Sequence, residues 1–136
     1  MIDVRLAGPA DDDDVDRLRS GARRWTTTQR GGEYLGEDPP RGATVLLGTI
    51  GGVAVGLASV ADGVPTSTLH ELFVEPGARR VGVGHRLLVE VLDHVRRAGA
   101  TGLDSWALPG DRDTKNFFEA HGLVTRQLIV HRSLER

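Results

Sequence analysis

The alternation of apolar and polar positions divides the chain into short strands and amphipathic helices. Apolar residues at every second position, or short runs rich in β-branched side chains, predict strands. The Gly51-Gly52 pair between two such runs is typical of a two-residue hairpin turn. The strands predicted in this way are residues 2–6, 44–50, 53–60, 68–74, 103–108 and 124–131.

The first helix is predicted directly after an acidic run. It starts at Asp11–Asp14, and its apolar face carries Val15, Leu18 and Ala22. Carboxylates in a first helical turn complement the helix dipole, whereas hard cations want ligands at loop spacings. We therefore interpret the run as a helix start and predict no metal site.

Two further helices are predicted in the second half of the chain. The longer one follows residue 84 and ends before Gly99, which stands where a left-handed cap is wanted; residues 113–120 form the shorter one. Residues 21–42 are poorly patterned, with a short helix predicted around residues 24–29 and a long loop after it. The apolar stripe that we expect to face a sheet consists of Leu87, Leu88, Val91, Leu92 and Val95.

This order of elements predicts an α/β fold with a mixed, mostly antiparallel central sheet and helices on both faces. We expect residues 1–136 to form a single domain, with a core of Val, Leu and Ala because only 4% of the residues are aromatic. A net charge of −2 argues against a nucleic-acid surface. The absence of cysteine excludes a disulfide framework, and the lack of a membrane segment leads us to expect a cytoplasmic location.

Two glycines and two arginines lie between the strand 68–74 and the long helix. Gly82 and Gly84 allow backbone amides to approach a ligand closely, and the helix directs its positive dipole end at the same place. Arg79 and Arg80 add fixed positive charge. The combination predicts phosphate binding, although it lacks the Gly-Lys-Ser/Thr ending of a P-loop and the third glycine of a dinucleotide motif.

Two motifs resemble those of the GNAT family of N-acetyltransferases. The run Val74-x-Pro76-x-x-Arg79-Arg80-x-Gly82-x-Gly84 is similar to the family's acyl-CoA loop, Gln/Arg-x-x-Gly-x-Gly/Ala. The segment 109–123, which contains Asn116-Phe117-Phe118 and Gly122-Leu123, is similar to the family's Asn-x-x-Ala-x-x-Phe-Tyr-x-x-x-Gly-Phe segment. The resemblance covers residues 68–131 well and the first half of the chain in outline.

The resemblance implies transfer of an acetyl group from acetyl-CoA, as co-substrate, to an amine of a small molecule or protein. It implies that His85 also lies beside the phosphates. In the family the poorly patterned region covers the acceptor site, so Tyr34 is predicted to contact the acceptor. The implied CoA contacts are the backbone of Leu72, Phe73 and Val74, the turn Arg79, Arg80, Val81, Gly82, Val83, Gly84 and His85, and the residues Asp111, Lys115 and Phe118.

Two positions depart from the family pattern. Asp111 stands where an asparagine is usual and lacks its amide donor, and Phe118 stands where a tyrosine usually protonates the leaving thiolate. The catalytic base is predicted to be Glu71 or His70. Glu71 matches the family's acidic position, whereas an imidazole such as that of His70 titrates closer to neutral pH. Which of the two faces the cleft stays open.

Two other classes of function are weighed against an enzyme. A non-catalytic acyl-CoA sensor, or a degenerate acetyltransferase, is favoured by Phe118 and Asp111. A nucleic-acid binder would use the paired arginines at 79–80 and 96–97, but the chain lacks an aromatic stacking platform. We therefore predict neither nucleic-acid nor membrane partners, and a homodimer stays open.

Overall fold

The computed structural model describes residues 1–29 and 39–135 and contains one five-stranded sheet in the strand order β1-β2-β3-β4-β5. Neighbouring strands pair antiparallel except β4 and β5, which run parallel. The alternating patterns and the glycine hairpin thus produce the predicted mostly antiparallel sheet. Its strands are β1 (Ile2–Leu6), β2 (Thr44–Ile50), β3 (Val53–Ala61), β4 (Thr66–Val74) and β5 (Gly102–Asp104).

Three helices cover the two faces of this sheet: α1 (Asp12–Thr28), α2 (Val83–Arg97) and α3 (Arg112–Ala120). Successive strand residues point to opposite faces. On β2, Leu46 joins a core cluster with α2 and with Phe118 of α3, whereas Leu47 joins a second cluster with Leu18 of α1. The sheet is therefore buried on both sides, as the sequence predicts.

The apolar stripe of α2 forms most of the larger core. Leu87, Leu88, Val91 and Val95 are all buried, and Gly99 follows the helix with φ 94°. Leu92 differs slightly from the prediction, because it is only partly buried at the margin of the cluster. The stripe therefore holds the long helix against the sheet.

Asp11 of the acidic run anchors the N-terminal connection. Asp11 ends a short 3-10 turn (Pro9–Asp11), accepts a hydrogen bond from the Gly8 amide at 2.8 Å, and pairs with both terminal nitrogens of Arg5. The Arg5 guanidinium and the Gly8 amide hold the pKa of the Asp11 carboxyl well below its usual range. This contact fixes where α1 begins.

Three predictions of secondary structure need correction. The separate short helix around residues 24–29 is the last part of a continuous α1, which extends through Gly21 because the Phe73 ring packs against that glycine. The strand predicted at residues 103–108 is limited to Gly102–Asp104, where β4 provides a partner. The closing strand predicted at residues 124–131 is wrong, since residues 123–135 belong to no helix or strand.

Tyr34, the predicted acceptor contact, lies outside the described residues. None of the helices within the described ranges combines the length and the apolar character needed to cross a bilayer.

Candidate functional site

β4 and β5 run side by side for only three residue pairs and then separate. Thr66–Thr68 pairs with Gly102–Asp104, and the Ser105 hydroxyl donates to the Leu69 carbonyl at 2.9 Å. Beyond this contact, no strand of the described chain lies along the outer side of β4. Residues 70–74 therefore present a sheet edge to which an extended ligand can add as a further strand.

His70 is the extra residue of a β-bulge at this edge. The pairing with β3 passes from Leu69 to Glu71, which leaves His70 without an opposite residue. Its ring meets the Trp106 ring edge-on, with centroids 5.3 Å apart and planes at 78°. Because Trp106 follows β5, the His70 imidazole lies where the two strands diverge.

Glu71, in contrast, is held by a cation from the other layer. Arg19 of α1 donates from Nε to Glu71 Oε1 at 3.0 Å and to Oε2 at 3.2 Å. The hydroxyl of Ser59, a fully buried residue of β3, donates to Oε1 at 2.5 Å and accepts from Arg19 at 3.2 Å. Both Glu71 oxygens are therefore engaged in charge-assisted hydrogen bonds within the protein.

The turn after β4 uses left-handed backbone at two positions, Arg80 with φ 67° and Gly82 with φ 99°. The Gly82 carbonyl accepts the first bond of α2, from the Arg86 amide at 3.0 Å. The amides of residues 83–85 precede this bond and have no acceptor within the helix. Together with the helix dipole they form the kind of site that phosphate groups occupy.

Two glycines of the sheet let the start of α2 lie close to it. Gly48 and Gly56 are opposite each other on β2 and β3. A Cβ atom would come within 2.7 Å of Val83 Cγ1 at Gly48 and within 3.0 Å at Gly56. The backbone of the sheet thereby fixes the position of the turn at residues 79–82, which precedes α2.

The Arg79 side chain turns back toward the sheet edge. Its Nε donates to the Val74 carbonyl at 2.8 Å, and its guanidinium lies 4.5 Å from the ring centroid of Trp25 and 5.6 Å from that of Phe73. The exposed residue of the pair is Arg80. Binding of a pyrophosphate by the Arg79 side chain stays a prediction.

The residues predicted from the second motif lie on or next to α3. Asp111 caps this helix, because its carboxylate accepts from the Thr114 amide at 3.1 Å and from the Thr114 hydroxyl at 2.6 Å. Phe118 is buried in the α2 cluster. Lys115 is exposed and lies 3.8 Å from Glu119, one helical turn on. A CoA contact by any of the three stays a prediction.

His85, predicted beside the phosphates, contacts a second histidine at the end of α3. Its Nδ1 lies 2.8 Å from Nε2 of His121, whose own Nδ1 lies 2.7 Å from the Phe117 carbonyl. A carbonyl only accepts, so the proton of a neutral His121 sits on Nδ1 and His85 donates to its Nε2. The pair joins the start of α2 to the end of α3.

Several residues of this site escape sequence reasoning. Arg19, Ser59, Trp25 and Trp106 come from four different elements or connections, and Arg19 lies 52 positions before its partner Glu71. No local pattern marks such contacts. The sequence offers one indication of such contacts: the chain has only two tryptophans, and a side chain of that size usually packs against several others.

The family model of the GNAT acetyltransferases matches residues 12–123. The chain therefore belongs to the acetyltransferase (GNAT) family. The match includes β4, the turn at residues 79–82, α2 and α3, so both motifs fall within it. A search among curated protein sequences finds no match.

Solved structures show the same fold at low sequence identity. The aminoglycoside N-acetyltransferase AAC(6')-Iy in complex with CoA matches with a TM-score of 0.76 and 21% identity, covering 98% of this chain and 95% of that one. The ribosomal-protein-alanine N-acetyltransferase from Brucella melitensis biovar Abortus 2308 matches with 0.75 and 18%, covering 98% and 100%. A transcriptional regulator from Bacillus halodurans C-125 matches with 0.71 and 15%, covering 97% and 100%.

Proposed function

We propose that this chain is an N-acetyltransferase that moves an acetyl group from acetyl-CoA to an amine. The observation that carries the proposal is the open edge of β4 at residues 70–74, followed by a turn into α2 whose first amides have no acceptor within the helix. A pantetheine arm offers amide groups that can pair with a strand edge, and a pyrophosphate suits amides at a helix start. The residues present therefore fit CoA.

The predicted contacts follow this path along the fold. The backbone of Leu72–Val74 pairs with the pantetheine arm, and the amides from Arg80 to His85 hold the pyrophosphate. Arg79 stabilises the turn through its hydrogen bond to the Val74 carbonyl and its cation–π contact with Trp25. Asp111, Lys115 and Phe118 border the same ligand from α3, with Phe118 as an apolar wall.

His70 is the better placed general base of the two that the sequence offers. When bound, acetyl-CoA supplies an activated acyl group, but an ammonium acceptor must lose a proton before it can attack. The His70 imidazole lies at the divergence of the strands, and imidazole is the side chain used most often as a general base. Both oxygens of Glu71 are engaged by Arg19 or Ser59, so this side chain is suited to fixing the bulge.

The departing CoA thiolate needs a proton that Phe118 cannot give. A general acid contributes ~10²–10⁴-fold, so chemistry is slowed without it but still allowed. The proton that His70 takes from the amine can return to the thiolate through water. The overall balance is one N–C bond formed, one C–S bond broken and two protons lost from the ammonium nitrogen, one of which ends on the CoA sulfur and the other in water.

The acceptor is an amine of a small molecule or of a protein. The relative AAC(6')-Iy has been captured with the bisubstrate analogue CoA-S-monomethyl-acetylneamine, and another relative is described as acting on a ribosomal protein. These relatives share a fold with the chain and acetylate different amines. They support the reaction type rather than one acceptor.

A turnover screen tests the proposal. Purified protein is incubated with acetyl-CoA and a panel of aminoglycosides, polyamines and peptides with free N-termini, and thiol release is followed together with the acceptor mass. We expect one class of acceptor to gain an acetyl group at a rate proportional to enzyme. Tight CoA binding without any acetylated acceptor would instead support the acyl-CoA sensor, which Phe118 and the engaged Glu71 also favour.

A further inference from the structure

His70 lies on a stretch of β4 backbone whose two neighbouring residues are both held. One residue earlier, the Leu69 carbonyl accepts the Ser105 hydroxyl at 2.9 Å. One residue later, the Glu71 carboxylate is paired with Arg19. A bulge that is held on both sides keeps its extra residue in one place. These contacts do not fix the imidazole itself, which can still turn about its side-chain torsions.

The Trp106 ring is the contact that restricts this rotation. The two rings meet edge-to-face, with their centroids 5.3 Å apart and their planes at 78°, an arrangement that aromatic rings favour. Across residues 1–29 and 39–135, no other side chain forms a hydrogen bond with the His70 imidazole. The orientation of the imidazole therefore depends on the position of the indole.

Burial does not explain the position of Trp106. Its side chain is 46% exposed, whereas Trp25 and the three phenylalanines are buried or half-buried. Trp106 follows directly after Ser105, so the hydrogen bond from Ser105 to β4 also fixes the backbone that carries the indole. One short connection thus holds both the bulge and the ring that borders it.

We propose that Trp106 is a positioning residue, whose indole holds the His70 imidazole in one orientation at the divergence of β4 and β5, where the acceptor ammonium loses its proton. This rests on the proposed function, in which His70 is the general base. A base works only when its nitrogen lies within hydrogen-bond reach of the proton that it removes. An imidazole that rotates freely meets this condition for only a fraction of the time. Loss of the indole therefore lowers the rate of the chemical step rather than the affinity for either substrate.

The kinetics of two Trp106 variants test this role. Trp106→Leu keeps an apolar side chain but loses the ring, and it should lower kcat ~10–100-fold with acetyl-CoA and the acceptors of the turnover screen. Both KM values should stay almost unchanged. Trp106→Phe retains an aromatic ring and should keep most of the rate. An unchanged kcat with a raised KM for the acceptor would show that Trp106 binds the acceptor instead, and would overturn the proposal.

A double variant shows whether Trp106 acts through His70. In a His70→Ala background no imidazole is left to position, so the added Trp106→Leu change should not lower the rate any further. Losses that multiply in the double variant would mean that Trp106 acts independently of the base. That result would also overturn the proposal.

Histidine NMR examines the contact without any acceptor, so its outcome is separate from that of the turnover screen. The ring protons of His70, identified by their loss in His70→Ala, should carry a ring-current shift that Trp106→Leu removes. Ser105→Ala should move the same signals. Thr101→Ala is the matched control, because it removes a hydroxyl contact to the Pro65 carbonyl at the other end of β5 and should leave the signals in place.

The two readouts separate the proposal from the function on which it rests. His70 signals that do not change in Trp106→Leu overturn the proposal even if acceptors are acetylated. Signals that change support it, and a turnover screen without any acetylated acceptor then counts against the proposed function alone.

Discussion

Glu71 and His70 are neighbours in sequence but have different surroundings, and this difference separates their roles. Glu71 reaches α1 and is mostly buried with Arg19 and Ser59. His70 lies on a bulge against the exposed edge of Trp106. A bulge that is fastened on one side by an ion pair can present its extra residue to a ligand in a defined orientation.

At this scale we predict that His70→Ala lowers kcat by ~10²–10⁴-fold while leaving the affinity for acetyl-CoA almost unchanged. Glu71→Gln should instead cost ~1–3 kcal/mol of unfolding free energy, because the charge of Arg19 loses its partner. Thiol-release kinetics, calorimetry with CoA and urea unfolding measure these effects. A stable Glu71→Gln protein with the larger loss of kcat would reverse the assignment.

The sequence identifies the two candidate bases but does not distinguish them. The distinction depends on Arg19, which approaches only because α1 packs across β4. The same holds for Asp111, which is predicted as a ligand contact although it lacks the amide donor of an asparagine, and whose carboxylate caps α3. Residue types and spacing carry the chemistry, whereas the direction of a side chain depends on contacts far apart in the chain.

At the scale of elements, the position of α2 depends on two facing glycines. Gly48 and Gly56 accept Val83 and Leu87 against the sheet backbone, which brings the start of the helix close to the end of β4. A helix that started further out would move its free amides away from the sheet edge. The position of the turn at residues 79–82 relative to the open edge of β4 thus depends on one packing contact.

We therefore predict that Gly48→Ala costs ~1–3 kcal/mol of stability and weakens CoA binding about tenfold or more, because the new methyl group displaces Val83. Gly77→Ala is the matched control, since an added Cβ at Gly77 meets nothing within 4 Å. Unfolding curves and calorimetry compare the two. Equal CoA affinity in both variants would show that the packing of α2 does not position the turn.

Elements with a complete local signal are predicted well from the sequence. The glycine hairpin is confirmed at Thr44–Ile50 and Val53–Ala61, with Gly51 and Gly52 at φ 57° and 83°. The long helix is confirmed with its buried stripe. The closing strand at residues 124–131 failed although its pattern was as good, because a strand also needs an edge to pair with and the pattern does not supply one.

At the scale of the whole molecule, the proposed ligand would contact three elements at once: the edge of β4, the start of α2, and α3. The edge of β4 is followed along the chain by the start of α2, and the His85–His121 contact is a direct side-chain link between α2 and the end of α3. A ligand that binds only the folded chain raises its stability by mass action. Comparing the gain in stability from CoA with that from a fragment of CoA therefore shows which parts of the ligand contribute to binding.

We predict that CoA at one hundred times its dissociation constant stabilises the fold by ~2.7 kcal/mol, which raises Tm on the order of 10 °C. Adenosine 3′,5′-bisphosphate, which lacks the pyrophosphate and the pantetheine arm, should give a much smaller shift at the same concentration. Gly82→Val should lose the CoA shift because of its left-handed φ of 99°, whereas Gly52→Val, strained alike at φ 83° in the distant hairpin, should keep it. Scanning calorimetry over a series of ligand concentrations measures all four shifts. If adenosine 3′,5′-bisphosphate raised Tm as much as CoA does, the open edge of β4 would contribute nothing to binding. The main observation behind the proposed function would then no longer support it.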